Sequence, residues 1–207
     1  MTGKVDLKRE LKSYFSAPKG KWEEQVFPEF QYLMVDGQGA PRVSPEYLAA
    51  LGVLYPAAYA TKFFSKLELG RDYAVPPLEG LWWADDMDAF VTGGRRDEWR
   101  WTMMIMLPSW IGADHVSSAL ETQARKKPDL DFTMVRMGKL CENRVLQLLH
   151  VGPFADEAPV LHRLHHELMP ERGLTFAGHH HEIYLSDPRK SAPEKLRTVL
   201  RQPVKPI

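Results

Sequence analysis

The chain has 207 residues, 44% of them hydrophobic and 26% charged; these proportions suit one globular domain or two small ones and exclude disordered, collagen-like and coiled-coil classes. Lys+Arg and Asp+Glu stand at 27 each, with no long block of one sign, which disfavours nucleic-acid binding, since that draws on a basic patch to neutralise phosphates. The single cysteine, Cys141, rules out an intramolecular disulfide, the charged start does not read as a signal peptide, and no stretch reaches the roughly 18 apolar residues of a membrane span, so a cytoplasmic location is the expectation.

In chain order, Leu7, Leu11, Tyr14 and Phe15 recur at helical spacing and predict a short amphipathic helix over Asp6 to Phe15, ended by Pro18 and Gly20. Gln25 to Val35 reads as a strand running into a glycine turn at Asp36-Gly37-Gln38-Gly39. Ser44-Pro45-Glu46 opens a helix, the serine capping free N–H groups and the proline sitting where it loses no bond. That helix extends to Lys66, with Pro56 removing one backbone bond and kinking it. Leu78 to Ala84 and Trp99 to Leu107 read as strands joined by a polar loop with Gly93-Gly94, and Asp114 caps a helix running to Lys126.

The second half repeats this order: a strand from Arg144 to Val151 ending in Gly152-Pro153, a helix from Ala158 to Met169, and strands from His180 to Leu185 and Leu196 to Gln202. Leu33-Met34-Val35-Asp36-Gly37 matches Leu148-Leu149-His150-Val151-Gly152, and Glu79-Gly80-Leu81-Trp82 matches Glu182-Ile183-Tyr184-Leu185. The fold expected is α+β: duplicated β-α-β-β repeats forming antiparallel sheets with the helices packed on one side. The repeats cover 25–110 and 134–204 within a single domain spanning 1–207, behind an N-terminal helical extension over 1–20. Two halves that share a core leave a ligand cleft near the pseudo-twofold axis.

Aromatic residues beside acids are the chemical signal. A strand period of two puts Glu79, Leu81 and Trp83 on one face and Gly80 and Trp82 on the other, so one tryptophan is free to line a cavity unless both are core. Glu182 shares a face with Tyr184; a carboxylate amid β-formers is costly to bury unless it is paired or used, and a used one serves as general acid or base. An edge strand with Glu182 in solvent is the alternative. Tyr55 and Tyr59 lie one turn apart on the kinked helix, where a phenol donates to a ligand or simply packs. His162 and His166 have metal-binding spacing with a third ligand available from His179 to His181, but the intervening Arg163-Leu164-His165 lacks the glutamate of an H-E-x-x-H site, so no metal is expected. Cys141 has no activating neighbour, and nucleophile-elbow, Walker and dinucleotide motifs are missing.

The segments Leu33 to Gly39, Leu78 to Trp83, Trp99 to Ile105, His180 to Pro188 and Pro193 to Val204 together resemble the stand-alone GyrI-like proteins over nearly the whole chain. The resemblance implies a duplicated β-α-β-β fold related to the effector-binding domains of AraC-type and multidrug-responsive regulators. No helix-turn-helix segment precedes it, which disfavours a regulator. Some stand-alone members are cofactor-free hydrolases that add water across the strained cyclopropane of DNA-alkylating toxins. By motif match this implies Glu182 and Tyr55 as catalytic residues, and Trp82, Trp83, Tyr184, Glu79, Tyr59 and Trp101 as ligand-binding residues, with no cofactor. The partner implied is a small apolar or aromatic molecule, and the role detoxification and drug resistance. A non-catalytic drug-sequestering protein and a DNA gyrase modulator are the alternatives, the latter opposed by the neutral charge; monomer and homodimer both stay open.

Overall fold

A computed structural model describes residues 3–84 and 96–207, and the Gly93-Gly94 loop falls outside them. Among the described residues the strands are β1 (Glu23–Phe27), β2 (Phe30–Gln38), β3 (Leu78–Trp83), β4 (Arg100–Leu107), β5 (Arg136–Leu140), β6 (Asn143–Val151), β7 (Leu174–Phe176), β8 (His180–Tyr184) and β9 (Arg197–Pro206). The α-helices are α1 (Leu7–Glu10), α2 (Pro45–Glu68), α3 (Ala113–Lys126), α4 (Glu157–Arg163) and α5 (Met169–Glu171), the last two joined through a π-helical turn, Leu164–Leu168. The fold class is α+β, as expected. One antiparallel sheet runs β1-β6-β9-β8-β3-β4-β2-β5, with β7 beside β9.

The order places β2, β4 and β3 in one half and β6, β9 and β8 in the other, joined at the antiparallel β3–β8 pair. The outer strands cross over: β1 pairs with β6 of the second half, and β5 with β2 of the first. Both halves begin with a five-residue strand followed by a nine-residue one, which aligns Leu33 with Leu146, two positions from the match read in the sequence. The exchange interlocks the halves, since neither owns all the hydrogen-bond partners of its own second strand.

Local chemistry accounts for the elements. The strand expected from Gln25 splits at Pro28, which has no N–H to give a ladder; β2 then continues through Asp36-Gly37 to Gln38, and the turn comes at Gly39, whose φ is 108°. Gly37 can stay in the strand because its bare Cα leaves space for the Trp101 ring, which an added Cβ would approach to 2.2 Å. Ser44 caps α2 by accepting from the Tyr47 N–H at 3.2 Å, and small residues on its inner face, Ala50, Ala57 and Ala58, bring it close to the sheet. Pro56 lies inside α2, which continues to Glu68. Gly112, not Asp114, is the N-cap of α3, and its N–H is taken by His115 Nδ1 at 3.1 Å. The predicted N-terminal helix closes after one turn at Glu10, and β5 and β7, short and weakly patterned, are additional to the predicted strands.

Each face of the sheet carries its own core. Helices α2 and α3 bury Leu33, Val35, Trp82, Trp101, Met103 and Ile105, while α4 and the π turn cover Leu146, Leu148 and Leu200 on the same side. The opposite side is closed by the N-terminal segment, where Leu7, Tyr14 and Phe15 pack on Tyr32, Met34, Met104 and Ile183. No described helix is long and apolar enough to cross a membrane.

Candidate functional site

The β3–β8 ladder pairs Gly80 with Glu182 and Trp82 with His180, and directly paired residues share a face. Glu182, Tyr184, Trp82 and His180 therefore project together toward the helices. The Tyr184 hydroxyl donates to Glu182 Oε2 at 2.7 Å, and Trp82 Nε1 donates to the Tyr184 oxygen at 3.1 Å. The Glu182 side chain is 14% exposed: held by the protein, yet not sealed from a ligand. Tyr47 of α2 stacks on Trp82 at 6.3 Å, Trp99 meets it edge-on at 6.1 Å, and Phe154 meets Tyr184 edge-on at 5.9 Å. Burial, then the negative charge of Glu182, pushes the Tyr184 phenol well above its usual range, so it stays a protonated donor.

A second carboxylate completes this face. Glu157, at the start of α4, is buried, hydrogen-bonds Thr198, and leaves Oε1 without a partner. Thr198 is the β9 partner of Tyr184, so Glu157 stands beside the same tyrosine. Burial, and secondarily Glu182, raises the Glu157 carboxyl well above the usual carboxylate range, and two acids with different surroundings are suited to opposite roles. Arg42, held at φ 67°, lays its guanidinium 3.9 Å from the Phe154 ring centre and electrostatically favours the charged form of Glu157. A non-glycine residue in that conformation is strained, a cost that functional loops often carry.

The sequence-predicted residues divide between environments. Glu182, Tyr184 and Trp82 come together. Tyr55 is half-buried on α2 at the edge of the same core, with Arg189 and Asp187 as electrostatic neighbours, and burial raises its phenol. Tyr59 is 51% exposed. Trp101 is fully buried, donating to the Gly39 carbonyl at 3.1 Å. Trp83 and Glu79 lie on the other face, Trp83 stacked on His179 at 4.2 Å. Tyr47, Glu157, His180 and Arg42 are additional. Only His180 carried a readable signal, because it alternates with Glu182 and Tyr184; Glu157 reads as an ordinary helix-start acid.

Glu79 belongs to a buried ionic network on that opposite face. Tyr14 donates to Glu79 Oε2 at 2.6 Å and, its one proton so used, accepts from Tyr32 at 2.8 Å. His181 holds Glu142 through Nδ1 and Glu79 through Nε2, each at 3.0 Å. Arg201 reaches Glu142 at 3.0 Å, Gln147 at 2.9 Å and the Tyr14 carbonyl at 2.7 Å. Burial disfavours charge on both His181 and Glu142, but the mutual attraction wins: His181 is raised, and Glu142 is lowered to about 2 by His181 and Arg201. Among the described residues no group of three or more His, Cys, Asp or Glu is arranged to hold a metal ion.

The signature of the GyrI-like small molecule binding domain matches residues 22–205. Two crystal structures from Listeria innocua, one of an uncharacterized conserved protein and one of a hydrolase, are each 39% identical to this chain; each comparison covers 98% of this chain and 100% of the other, with TM-scores of 0.86 and 0.83. The EcmrR C-terminal domain shares the fold at 9% identity and a TM-score of 0.59, over 90% of this chain and 98% of that one. No curated protein is significantly similar in sequence.

Proposed function

This chain belongs to the GyrI-like small molecule binding domain family, and on that premise we propose that it binds a flat, apolar molecule over β3 and β8 and adds water to it without a cofactor. The substrate class proposed is the cyclopropanoid toxins, and the role detoxification leading to drug resistance. The observation that carries this reading is the Trp82–Tyr184–Glu182 relay: a carboxylate fixed by a phenol and bordered by aromatic faces, still 14% exposed. The hydrolase from Listeria innocua, at 39% identity, lends support.

In the proposed reaction Glu182 takes a proton from water as the water oxygen bonds to the cyclopropane methylene. The ring C–C bond breaks, its electron pair passes into the conjugated carbonyl, and a phenolate forms. Tyr55 of α2 donates to that oxygen as its charge develops, and the proton held by Glu182 finally neutralises it, so that the sum is one water added. Trp82, Tyr47 and Phe154 hold the flat ligand by area burial, at about 25 cal/mol per Å². Ring strain makes the electrophile reactive, so a single base suffices.

The test is incubation of the purified protein with a duocarmycin-like cyclopropanoid, followed by mass spectrometry. A product heavier by one water is expected. Unchanged ligand co-eluting with the protein would reduce the function to sequestration, and no interaction at all would remove the substrate class.

A further inference from the structure

Glu182 is held on one side only by the bond already described. Tyr184 occupies Oε2, while Oε1 faces His180 Nε2 at 3.5 Å. His180 is 1% exposed, and neither ring nitrogen has a hydrogen-bond partner; buried polar groups nearly always find one, so this vacancy calls for a reason. Its position is set by the ladder, where it pairs with Trp82, the same indole that donates to Tyr184. The strand thus puts three polar groups in a row, His180, Glu182 and Tyr184, with the carboxylate in the middle.

The helix made of α4 and α5 supplies an electrostatic neighbour to this histidine. It widens into the π-helical turn Leu164–Leu168, an irregularity common at functional sites, and the turn carries His165 into the electrostatic range of His180. Burial, and then His180, His166 and His162, hold His165 down to about 3. That ring is neutral and brings no positive charge to compete for the carboxylate.

We propose that His180 is a positioning residue for Glu182: its Nε2–H, 3.5 Å from Oε1 in this structure, closes on that oxygen when a ligand occupies the site, so the carboxylate is then held between a ring N–H and a phenol O–H with its remaining lone pairs directed at the ligand. The kinetic half of the test rests on the hydrolase reading, and the spectroscopic half does not. In full-length protein labelled with 15N in the histidine rings, His180 is identified by the signal lost in His180→Gln. The expected result is an Nε2–H tautomer whose ring shifts move in Glu182→Gln. An Nδ1–H tautomer, or shifts indifferent to Glu182→Gln, would overturn the proposal.

With a cyclopropanoid probe, His180→Phe should lower kcat by roughly 100-fold, the scale of a misplaced reacting group, with KM little changed. His180→Gln, whose amide N–H falls where Nε2–H was, should restore most of the rate. Equal losses in the two folded variants would overturn positioning. If His180→Phe does not fold, His180→Asn, whose shorter amide misses Oε1, replaces it. Absence of turnover in the unaltered protein would remove the hydrolase reading, and the tautomer result would then decide this one.

Discussion

Gly80 and Glu182 face each other across the β3–β8 ladder at the junction of the two halves, so the carboxylate projects beside the one residue that has no side chain to oppose it. A Cβ at Gly80 would come 2.8 Å from Trp82 Nε1 and 3.2 Å from the Tyr184 hydroxyl. The missing methyl is therefore the space in which Trp82 donates to Tyr184 and Tyr184 to Glu182. Gly80→Ala should displace the indole, cost about 1–3 kcal/mol as overpacking does, and weaken ligand binding. Denaturant melts and tryptophan emission measure this; normal emission with normal affinity would mean that the relay does not depend on that space.

If Glu182 is the base of the proposed reaction, removing its charge should separate binding from chemistry. Glu182→Gln keeps the shape and an acceptor for Tyr184 but cannot take a proton, so turnover of a cyclopropanoid should fall about 10²- to 10⁴-fold, the usual worth of a positioned base. Ligand affinity by fluorescence quenching should hold. A variant that turns over normally would transfer the base to another residue, Glu157 being the nearest acid in role.

Stability should respond to pH in two opposite ways through the buried network. Glu142 is depressed from 4.5 to about 2 by His181 and Arg201 against its burial, so its contribution is complete above 4.5 and is lost as pH falls toward 2. His181 is raised above 6.5, so its contribution is complete below 6.5 and fades as pH climbs through the raised value. Outside that network, on the Glu182 face, Glu157 is also raised, by burial and then by Glu182, so its contribution is complete below 4.5 and is lost as pH rises through the raised value. Urea melts across this range should show a shallower acid limb in Glu142→Gln, with a loss of about 3–5 kcal/mol near neutrality because Arg201 keeps its buried charge without this partner.

The two faces of the molecule should differ in tolerance. Tyr14→Phe removes the proton given to Glu79 and the acceptor used by Tyr32 in a buried setting, a loss of about 1.5–3 kcal/mol for a bond to a charged group. Tyr59→Ser, at a 51% exposed position, should stay within about 0.5 kcal/mol. Chemical denaturation of both variants reads the difference, and equal effects would contradict the burial of Tyr14.

What the sequence determined by itself is what depends on neighbours along the chain. Alternation within β8 puts Glu182 and Tyr184 on one face, alternation within β3 separates Trp82 from Trp83, and Ser44-Pro45 starts α2, because side-chain direction in a strand and capping at a helix start are set within a few residues. The tertiary structure alone decided which strands meet: the pairing of Gly80 with Glu182, the exchange of β1 and β5, and the arrival of Glu157 and Tyr47 beside one carboxylate. Glu79 shows the limit. Its strand face could be read, but not that this face is closed by Tyr14 from the N-terminal segment and charged by His181 and Glu142 from the other half, since register and contact between distant segments come from packing the whole sheet, which no local pattern encodes.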